Sequence, residues 1–355
     1  TIEGSTEAGL GAGSPARAPI NAVQLVAPAA NPPPSKGSVV FVSFHDTEAP
    51  DATAAGVGLT EASDKGYTDL LKVNGYTVTR FLTANDVDVS TLPPADLIII
   101  GRAVSSGNYQ QANETVAWNG ISKPVMILGG YILRNSRLGF TAGGTMVDTV
   151  GDVKLTVTDP SHPIFAGIAL DANNTMANVY AGIESFVGQD PPIVQRGISV
   201  NTDAAAGNGT VLASIATAED PAVGGLIIGE WKAGSVMSNG SADVLGGDRI
   251  VFLTGSREAD GFTGGNAAGF YDLEPDGQKM FLNAVAYAVG LGAGGSGPSI
   301  TGIRLNGGSI SIEWTGGGTL EQAGNIEGPW AAVTGATSPY TAQANGPGAF
   351  FRVRQ

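Results

Sequence analysis

The sequence contains no cysteine and only two histidines among its 355 residues. Without a thiol, disulfide bonds, thiolate catalysis and sulfur-ligated zinc sites are excluded. Any general acid–base step that uses histidine must use His45 or His162. The residue types on which many hydrolytic and transfer enzymes depend are therefore scarce. This scarcity favours a non-catalytic protein and predicts no cofactor and no metal centre.

Charge is also scarce, because charged residues make up only 14% of the chain, with a net charge of −14. A negative surface repels phosphates, so nucleic acid is excluded as a partner. No apolar run approaches the length of a membrane span. A surface poor in Lys and Glu but rich in Gly, Ser, Thr and Asn is typical of secreted bacterial proteins. We expect a secreted, extracellular or cell-surface location, and the start at Thr1 fits either a processed or a trimmed chain.

Four segments follow from the composition. Residues 1–37 form an extended low-complexity arm, residues 38–290 an α/β domain, residues 291–298 a Gly-rich linker, and residues 299–355 a small β-sandwich-like module. An arm of this composition cannot bury enough apolar surface to fold alone. It either packs along its own domain or adds a strand to a neighbouring subunit. Its strand-like stretch supplies the candidate assembly residues Ile20, Val23, Leu25 and Val26.

Apolar runs alternate with helical patterns in the first half of the α/β domain. The runs are Val39–Phe44, Tyr76–Phe81, Asp96–Gly101 and Pro124–Leu128. The pattern predicts helices from near Thr60 to Asn74-Gly75 and over residues 108–120. Such alternation predicts a doubly wound, mostly parallel sheet. Ligands and catalytic groups of such sheets gather at the carboxyl ends of the strands, which makes the turn Gly129-Gly130-Tyr131 the position for a nucleophile.

The rest of the chain is richer in β-structure. Further strands are predicted at Val153–Val157, Val211–Ile215, Gly225–Gly229 and Arg249–Thr254, before a closing amphipathic helix at Asp276–Gly290. In the C-terminal module, short strands are predicted at Ile300–Leu305, Ser309–Trp314 and Ala349–Val353, separated by Gly-rich turns.

These residues carry a resemblance to a known family. Residues 38–290 resemble the class I glutamine amidotransferase-like superfamily, in particular its ThuA-like branch. The order and spacing of several motifs support this: Ala95-Asp-Leu-Ile-Ile-Ile-Gly101, Lys123-Pro-Val-Met-Ile-Leu128, Thr158-Asp-Pro-Ser-His-Pro-Ile-Phe-Ala-Gly167, Arg249-Ile-Val-Phe-Leu253 and Gly277-Gln-Lys-Met-Phe-Leu-Asn-Ala-Val285. The resemblance implies a flavodoxin-like fold.

The C-terminal module is similar to β-modules of secreted proteins from Planctomycetes- and Verrucomicrobia-type bacteria. Its pattern comprises Trp314, Leu320, Gly328-Pro-Trp330, Ser338-Pro-Tyr340 and the closing Phe350-Phe-Arg-Val-Arg354. The resemblance implies a bacterial extracellular protein.

The departure from the family concerns its chemistry. The amidotransferase branch uses a Cys after the central strand together with a His and a Glu. This chain has no Cys, and Gly129, Gly130 and Tyr131 offer no Ser or Thr in its place. The family's triad therefore cannot be carried over at any position.

The acidic loop after the first strand is the main candidate ligand site. His45, Asp46, Glu48 and Asp51 lie together there and could form a hard-cation or sugar site. A solvated acidic loop with a hydrogen-bonded histidine is the structural alternative. His45 and Glu258 are the candidate catalytic residues, because the loop after the strand Arg249–Thr254 would face the same edge.

Three other side chains received a structural interpretation. His162 lies in a turn that the resemblance identifies as a structural loop. Arg134 and Arg137 follow the Gly-Gly turn and could bind an anion near a helix start, although pairing with the excess carboxylates is the alternative that we expect.

The N-glycosylation triplet occurs at Asn113, Asn173, Asn208 and Asn239, so the chain is a candidate glycoprotein.

Two functions follow from these observations. The first is a non-catalytic extracellular structural protein that forms a filament or other homo-oligomer, held by the N-terminal arm of one subunit on the next. The second is a secreted ThuA-like carbohydrate-active enzyme or sugar-binding protein. The partners expected are further copies of the chain and glycans. The absent nucleophile favours the first function.

Overall fold

The protein is described here by a computed structural model. It describes residues 35–56, 58–149, 153–176, 179–180, 183–184, 194–195, 198–256, 269–290, 299–306, 308–315, 318–326, 328–343 and 349–354. The candidate assembly residues of the arm, Glu258 and the Gly-rich linker lie outside these residues. In the described part of the chain, no helix is both long and apolar enough to cross a membrane.

Up to residue 290, the described part of the chain contains four α-helices and thirteen strands. In chain order these are β1 Ser38–Ser43, α1 Ala52–Gly56, α2 Lys65–Val73, β2 Thr77–Leu82, β3 Leu97–Ile100, α3 Ala112–Asn119, β4 Val125–Ile127, β5 Met146–Asp148, β6 Leu155–Val157, β7 Thr175–Met176, β8 Ile183–Glu184, β9 Val194–Gln195, β10 Ser199–Asn201, β11 Thr210–Ile215, β12 Leu226–Trp231, β13 Arg249–Phe252 and α4 Pro275–Ala288.

Nine strands form one sheet with the order β2-β1-β3-β4-β13-β12-β11-β6-β7. Five neighbouring strands of this sheet are all parallel, namely β2, β1, β3, β4 and β13. Their order is that of flavodoxin-like sheets. The remaining strands extend the sheet with antiparallel pairings. The predicted α/β, flavodoxin-like fold class is therefore confirmed, and the β-rich second half is the antiparallel extension.

The strands of the parallel half are buried because both faces of the sheet are covered. All four residues of β3 and all three residues of β4 are buried. On one face, Tyr67 of α2 packs between the rings of Phe41 and Phe281, with centroid distances of 6.3 and 5.7 Å. This aromatic contact fastens α2 and α4 to β1 and explains the uninterrupted apolar runs in the sequence.

Two predicted helices are shorter in the structure. Helix α2 begins at Lys65 rather than near Thr60. Asp64 occupies the N-cap position, but its carboxylate binds Arg80 and Ser43 rather than a backbone N–H of the helix. It ends at the predicted Asn74-Gly75, where Gly75 has a φ of 90°. Helix α3 begins at Ala112 rather than 108, since a 3-10 turn occupies Ser106–Tyr109.

The C-terminal module consists of two three-stranded antiparallel sheets. Its strands are β14 Ser299–Asn306, β15 Ser309–Thr315, β16 Thr319–Ala323, β17 Ala331–Ala332, β18 Tyr340–Gln343 and β19 Phe350–Arg354. The sheets have the orders β14-β15-β18 and β17-β16-β19, and a separate small core contains Ile312, Trp314 and Leu320. The module is thus small and all-β, as predicted.

Candidate functional site at the carboxyl edge of the sheet

The turn after β4 is the position at which this fold would present a nucleophile. The chain passes from Leu128 through Gly129 into a 3-10 turn at Gly130–Leu133. The backbone of β10 lies directly against this turn, so that a Cβ at position 130 would overlap the carbonyl oxygen of Ser199. The turn therefore lacks a nucleophile and also lacks room for a side chain at Gly130.

Position 129 differs from position 130. A Cβ there would lie 3.6 Å from the Cα of Arg102, which is an ordinary van der Waals contact. The glycine at 130 is thus required by packing against β10, whereas the glycine at 129 is not. Strand β10 fills the space that a side chain at residue 130 would occupy.

Tyr131, the next residue, lies between two cations. The guanidinium carbons of Arg102 and Arg134 are 5.5 and 5.2 Å from its ring centroid. Arg134 also donates to the carbonyl of Tyr131 at 2.9 Å and to Oγ of Ser106 at 3.1 Å. Tyr131 therefore positions two arginine side chains at the carboxyl edge of the sheet through cation–π contacts.

The expected pairing of Arg134 and Arg137 with carboxylates is wrong. Their hydrogen bonds go to carbonyl and hydroxyl oxygens, and neither forms an ion pair in the described part of the chain. Burial lowers the pKa of both side chains, and the charge of Arg134 lowers that of Arg137 further. The local turn, stabilised by bonds to Tyr131, Ser106 and Ser136, holds both guanidiniums without an ion pair in the described part of the chain, although the charge of Glu114 acts on Arg137 from a distance.

His45 lies just past β1, as expected, and is buried. Its Nδ1 accepts a hydrogen bond from the backbone N–H of Asp51 at 3.3 Å. Its Nε2 lies 3.5 Å from Oγ of Ser63. The imidazole therefore holds its own loop together, which is the structural alternative that the sequence left open.

The acidic residues near His45 are divided between different tasks. Asp46 is exposed, whereas Asp51 accepts a bond from the backbone N–H of Ala54 at 2.8 Å and starts the short helix α1. Glu48 accepts bonds from Lys72 and Arg80 at 2.5 and 3.2 Å. No three His, Asp or Glu side chains of the described residues are grouped to hold a metal ion. A cation or sugar at this loop stays a prediction.

Arg80 connects this loop to the core. Its Nη1 donates to Oδ1 of the buried Asp64 at 2.8 Å, while its Nη2 reaches Glu48. Asp64 accepts a further bond from Oγ of Ser43 at 2.5 Å. Burial alone would raise the pKa of Glu48, but its bonds to Arg80, Lys72 and Thr68 outweigh this effect and lower the pKa to about 2.

Sequence reasoning missed a buried carboxylate where β13 ends. Oδ1 of Asp272 accepts bonds from Oγ1 of Thr254 at 2.7 Å, from the N–H of Gly255 at 3.0 Å and from the hydroxyl of Tyr67 at 3.0 Å. Its Oδ2 is buried and has no hydrogen-bond partner among the residues that the structure describes. Burial raises the pKa of Asp272 to about 6, although these hydrogen bonds oppose the shift. The only signal in the sequence is an acidic residue flanked by apolar ones, Tyr271 and Leu273.

His162 fits its structural interpretation. Its Nδ1 accepts the N–H of Ile164 at 3.3 Å and so begins a 3-10 turn. Its ring packs on Tyr287 with a centroid distance of 4.9 Å. Its Nε2 lies 3.8 Å from Oε2 of Glu230, too far for a hydrogen bond, and burial lowers its pKa.

The four candidate glycosylation sites differ in exposure. Asn113, Asn173 and Asn208 are exposed. Asn239 is buried, and its amide donates to Asp243 at 2.6 Å. A glycan on Asn239 would have to displace this bond, and one on Asn113 would displace the bond from its amide to Asp86 at 2.7 Å.

The chain was compared with known proteins. No protein-family model and no curated protein matches the sequence. A solved structure of a cytoplasmic protein from Salmonella typhimurium has 10% identity and a TM-score of 0.40, with 70% of this chain and 98% of that chain covered.

Two further solved structures are described as putative ThuA-like proteins. The one from Bacteroides uniformis has 15% identity and a TM-score of 0.39, covering 74% of this chain and 95% of that chain. The one from Parabacteroides merdae has 10% identity and a TM-score of 0.36, covering 71% and 90%. These values carry no argument about activity, so the fold class rests on the strand order described above.

Proposed function

We propose that this chain is a non-catalytic extracellular structural protein, a subunit of a filament or other homopolymer whose N-terminal arm adds to a neighbouring subunit. The observation that carries the non-catalytic part is the contact between Gly130 and Ser199. Where the fold would present a nucleophile, backbone occupies the space that a side chain at 130 would need.

The polar groups around the carboxyl edge support the same interpretation. His45 binds the backbone of its own loop, Glu48 and Asp64 share Arg80, and Asp272 is buried beneath the edge. Each of these groups forms hydrogen bonds with the protein itself. Their evident task is to hold the loop and helix α2 on the sheet.

Assembly is supported by a strand edge in the C-terminal module. In the described residues, β14 pairs with β15 on one side only. Its side chains Ile303 and Leu305 are 62% and 72% exposed. An unpaired edge with apolar residues at alternate positions is a template for strand addition. Val23 and Leu25 of the arm have the same two-residue spacing.

Negative-stain electron microscopy of the full chain, beside a form that lacks residues 1–37, tests the assembly. We expect filaments or closed oligomers from the full chain and single particles from the shortened one. Leu305→Lys should also prevent assembly, whereas Val73→Lys, at a residue that is 85% exposed on α2, serves as the matched control. Single particles from the full chain would contradict the proposal.

A secreted ThuA-like carbohydrate-active enzyme or sugar-binding protein is the second candidate. Its support is Asp272, because a buried carboxyl with a raised pKa at the carboxyl edge resembles a general acid. Sugar turnover that His45→Ala or Asp272→Asn abolishes, with the fold intact by circular dichroism, would overturn the non-catalytic proposal.

A further inference from the structure

A cavity of about 310 Å³ lies beside Arg137. It is formed where the start of α3, the turn after β4 and the loop at residues 239–241 meet, and its lining includes Gln110, Asn135, Ser136 and Ser241. Its volume is at the lower end of the range of small-molecule sites, roughly 300–1,000 Å³. None of the residues that line it is acidic.

Arg137 is the only charged residue in this lining, and much of its hydrogen-bonding capacity is unused. Its Nη1 donates to the carbonyl and the hydroxyl of Ser136, at 2.8 and 3.2 Å. Its Nε is buried and has no hydrogen-bond partner in the described part of the chain.

The nearest acidic groups are already engaged elsewhere. Glu114 accepts bonds from the backbone N–H groups of Gln110 and Gln111, at 3.0 and 2.9 Å. Asp243 accepts bonds from Asn119 and Asn239, at 3.0 and 2.6 Å. Arg134 adds a second positive charge near Arg137. Among its described residues, the lining therefore carries one positive charge and no negative charge, while the carboxylate of Glu114 acts on Arg137 from outside the lining.

We propose that this cavity binds a small polar ligand through an oxyanion, and that the ligand is an acidic sugar whose carboxylate meets Arg137. A guanidinium matches a carboxylate in geometry and charge. The amides of Gln110 and Asn135 and the hydroxyl of Ser241 suit sugar hydroxyls. The site involves neither the arm nor β14, so ligand binding can be tested independently of assembly.

Titration of the full chain with galacturonate, followed by NMR and calorimetry, tests the site. Galactose is the neutral counterpart, and sodium sulfate is the free anion. We expect galacturonate to bind, galactose not to bind, and Arg137→Gln to weaken galacturonate roughly tenfold or more, because a hydrogen bond to a charged group is lost. Binding should weaken as salt is added.

Two variants control for indirect effects. Arg304→Gln removes a guanidinium on β14 whose side chain is 75% exposed, and it should leave binding unchanged. Ser241→Phe fills the cavity without altering Arg137 and should abolish binding even if Arg137→Gln fails to fold. Equal affinity for sulfate and galacturonate would overturn the acidic sugar, and absence of binding by both would overturn the site.

Discussion

Gly130 packs against the carbonyl oxygen of Ser199 so closely that position 130 can carry no side chain without a shift of backbone. This relationship joins the turn after the central strand to β10, a strand that is 69 positions further along the chain. It makes the turn after β4 a closed structural contact.

Replacing Gly130 by Ala should destabilise the fold, whereas Gly129→Ala should not. The first Cβ overlaps backbone, and such overpacking costs about 1–3 kcal/mol or more. The second makes only ordinary contacts, and we expect a change below about 1 kcal/mol. Because both variants change Gly to Ala, their effects on the unfolded chain are alike. Urea unfolding measures the difference, and equal free energies of unfolding would contradict the closed contact.

Arg80→Ala should lower the free energy of unfolding far more than Lys72→Ala. The side chains of Arg80 and Asp64 are 4% and 1% exposed, so truncating Arg80 leaves a buried carboxylate without its cation, at a cost of about 3–5 kcal/mol. Lys72 binds the same Glu48, but its side chain is 42% exposed, and such pairs contribute about 1 kcal/mol or less. Thermal or urea unfolding of the two variants measures the difference. Similar losses of the free energy of unfolding in both would refute this account of Arg80.

The stability of the protein should depend on pH through Asp272 and Glu48 in opposite directions. The pKa of Asp272 is raised from 3.8 to about 6, so the free energy of unfolding should fall as pH rises through this window and then level off, by about 3 kcal/mol in all. The pKa of Glu48 is lowered from 4.5 to about 2. Its contribution to the free energy of unfolding is therefore fully present above pH 4.5 and is lost as pH falls towards 2.

Single variants separate the two titrations. Asp272→Asn should remove the decline in stability between pH 4 and pH 6, and Glu48→Gln should reduce the loss below pH 4.5. Urea unfolding across this pH range is the measurement. An unchanged profile in Asp272→Asn would show that this carboxyl does not titrate in the folded protein near pH 6.

The strands of the parallel half were predictable from the sequence, because a strand buried on both faces is an apolar run bounded by turn residues. Helix starts were less predictable. Thr60 and Asp64 both suit a helix start. The helix begins after Asp64, whose carboxylate is fixed by Arg80 of β2, and the local sequence does not show this contact.

Side-chain partners depended on contacts between distant parts of the chain. In an acidic protein we expected Arg134 and Arg137 to pair with carboxylates, but the turn after β4 directs them to hydroxyl and carbonyl oxygens. The sequence did not point to Asp272, because its partners Tyr67 and Thr254 are distant in the chain and meet it only in the folded sheet.

The sequence by itself determined the fold class, the order of the elements and the absence of a thiol nucleophile, because local apolar periodicity and composition are sufficient for these. Only the tertiary structure decided that β10 packs against Gly130, that His45 binds its own loop and that Arg137 lines a cavity. Each of these depends on residues that are distant in sequence and meet only when the sheet forms.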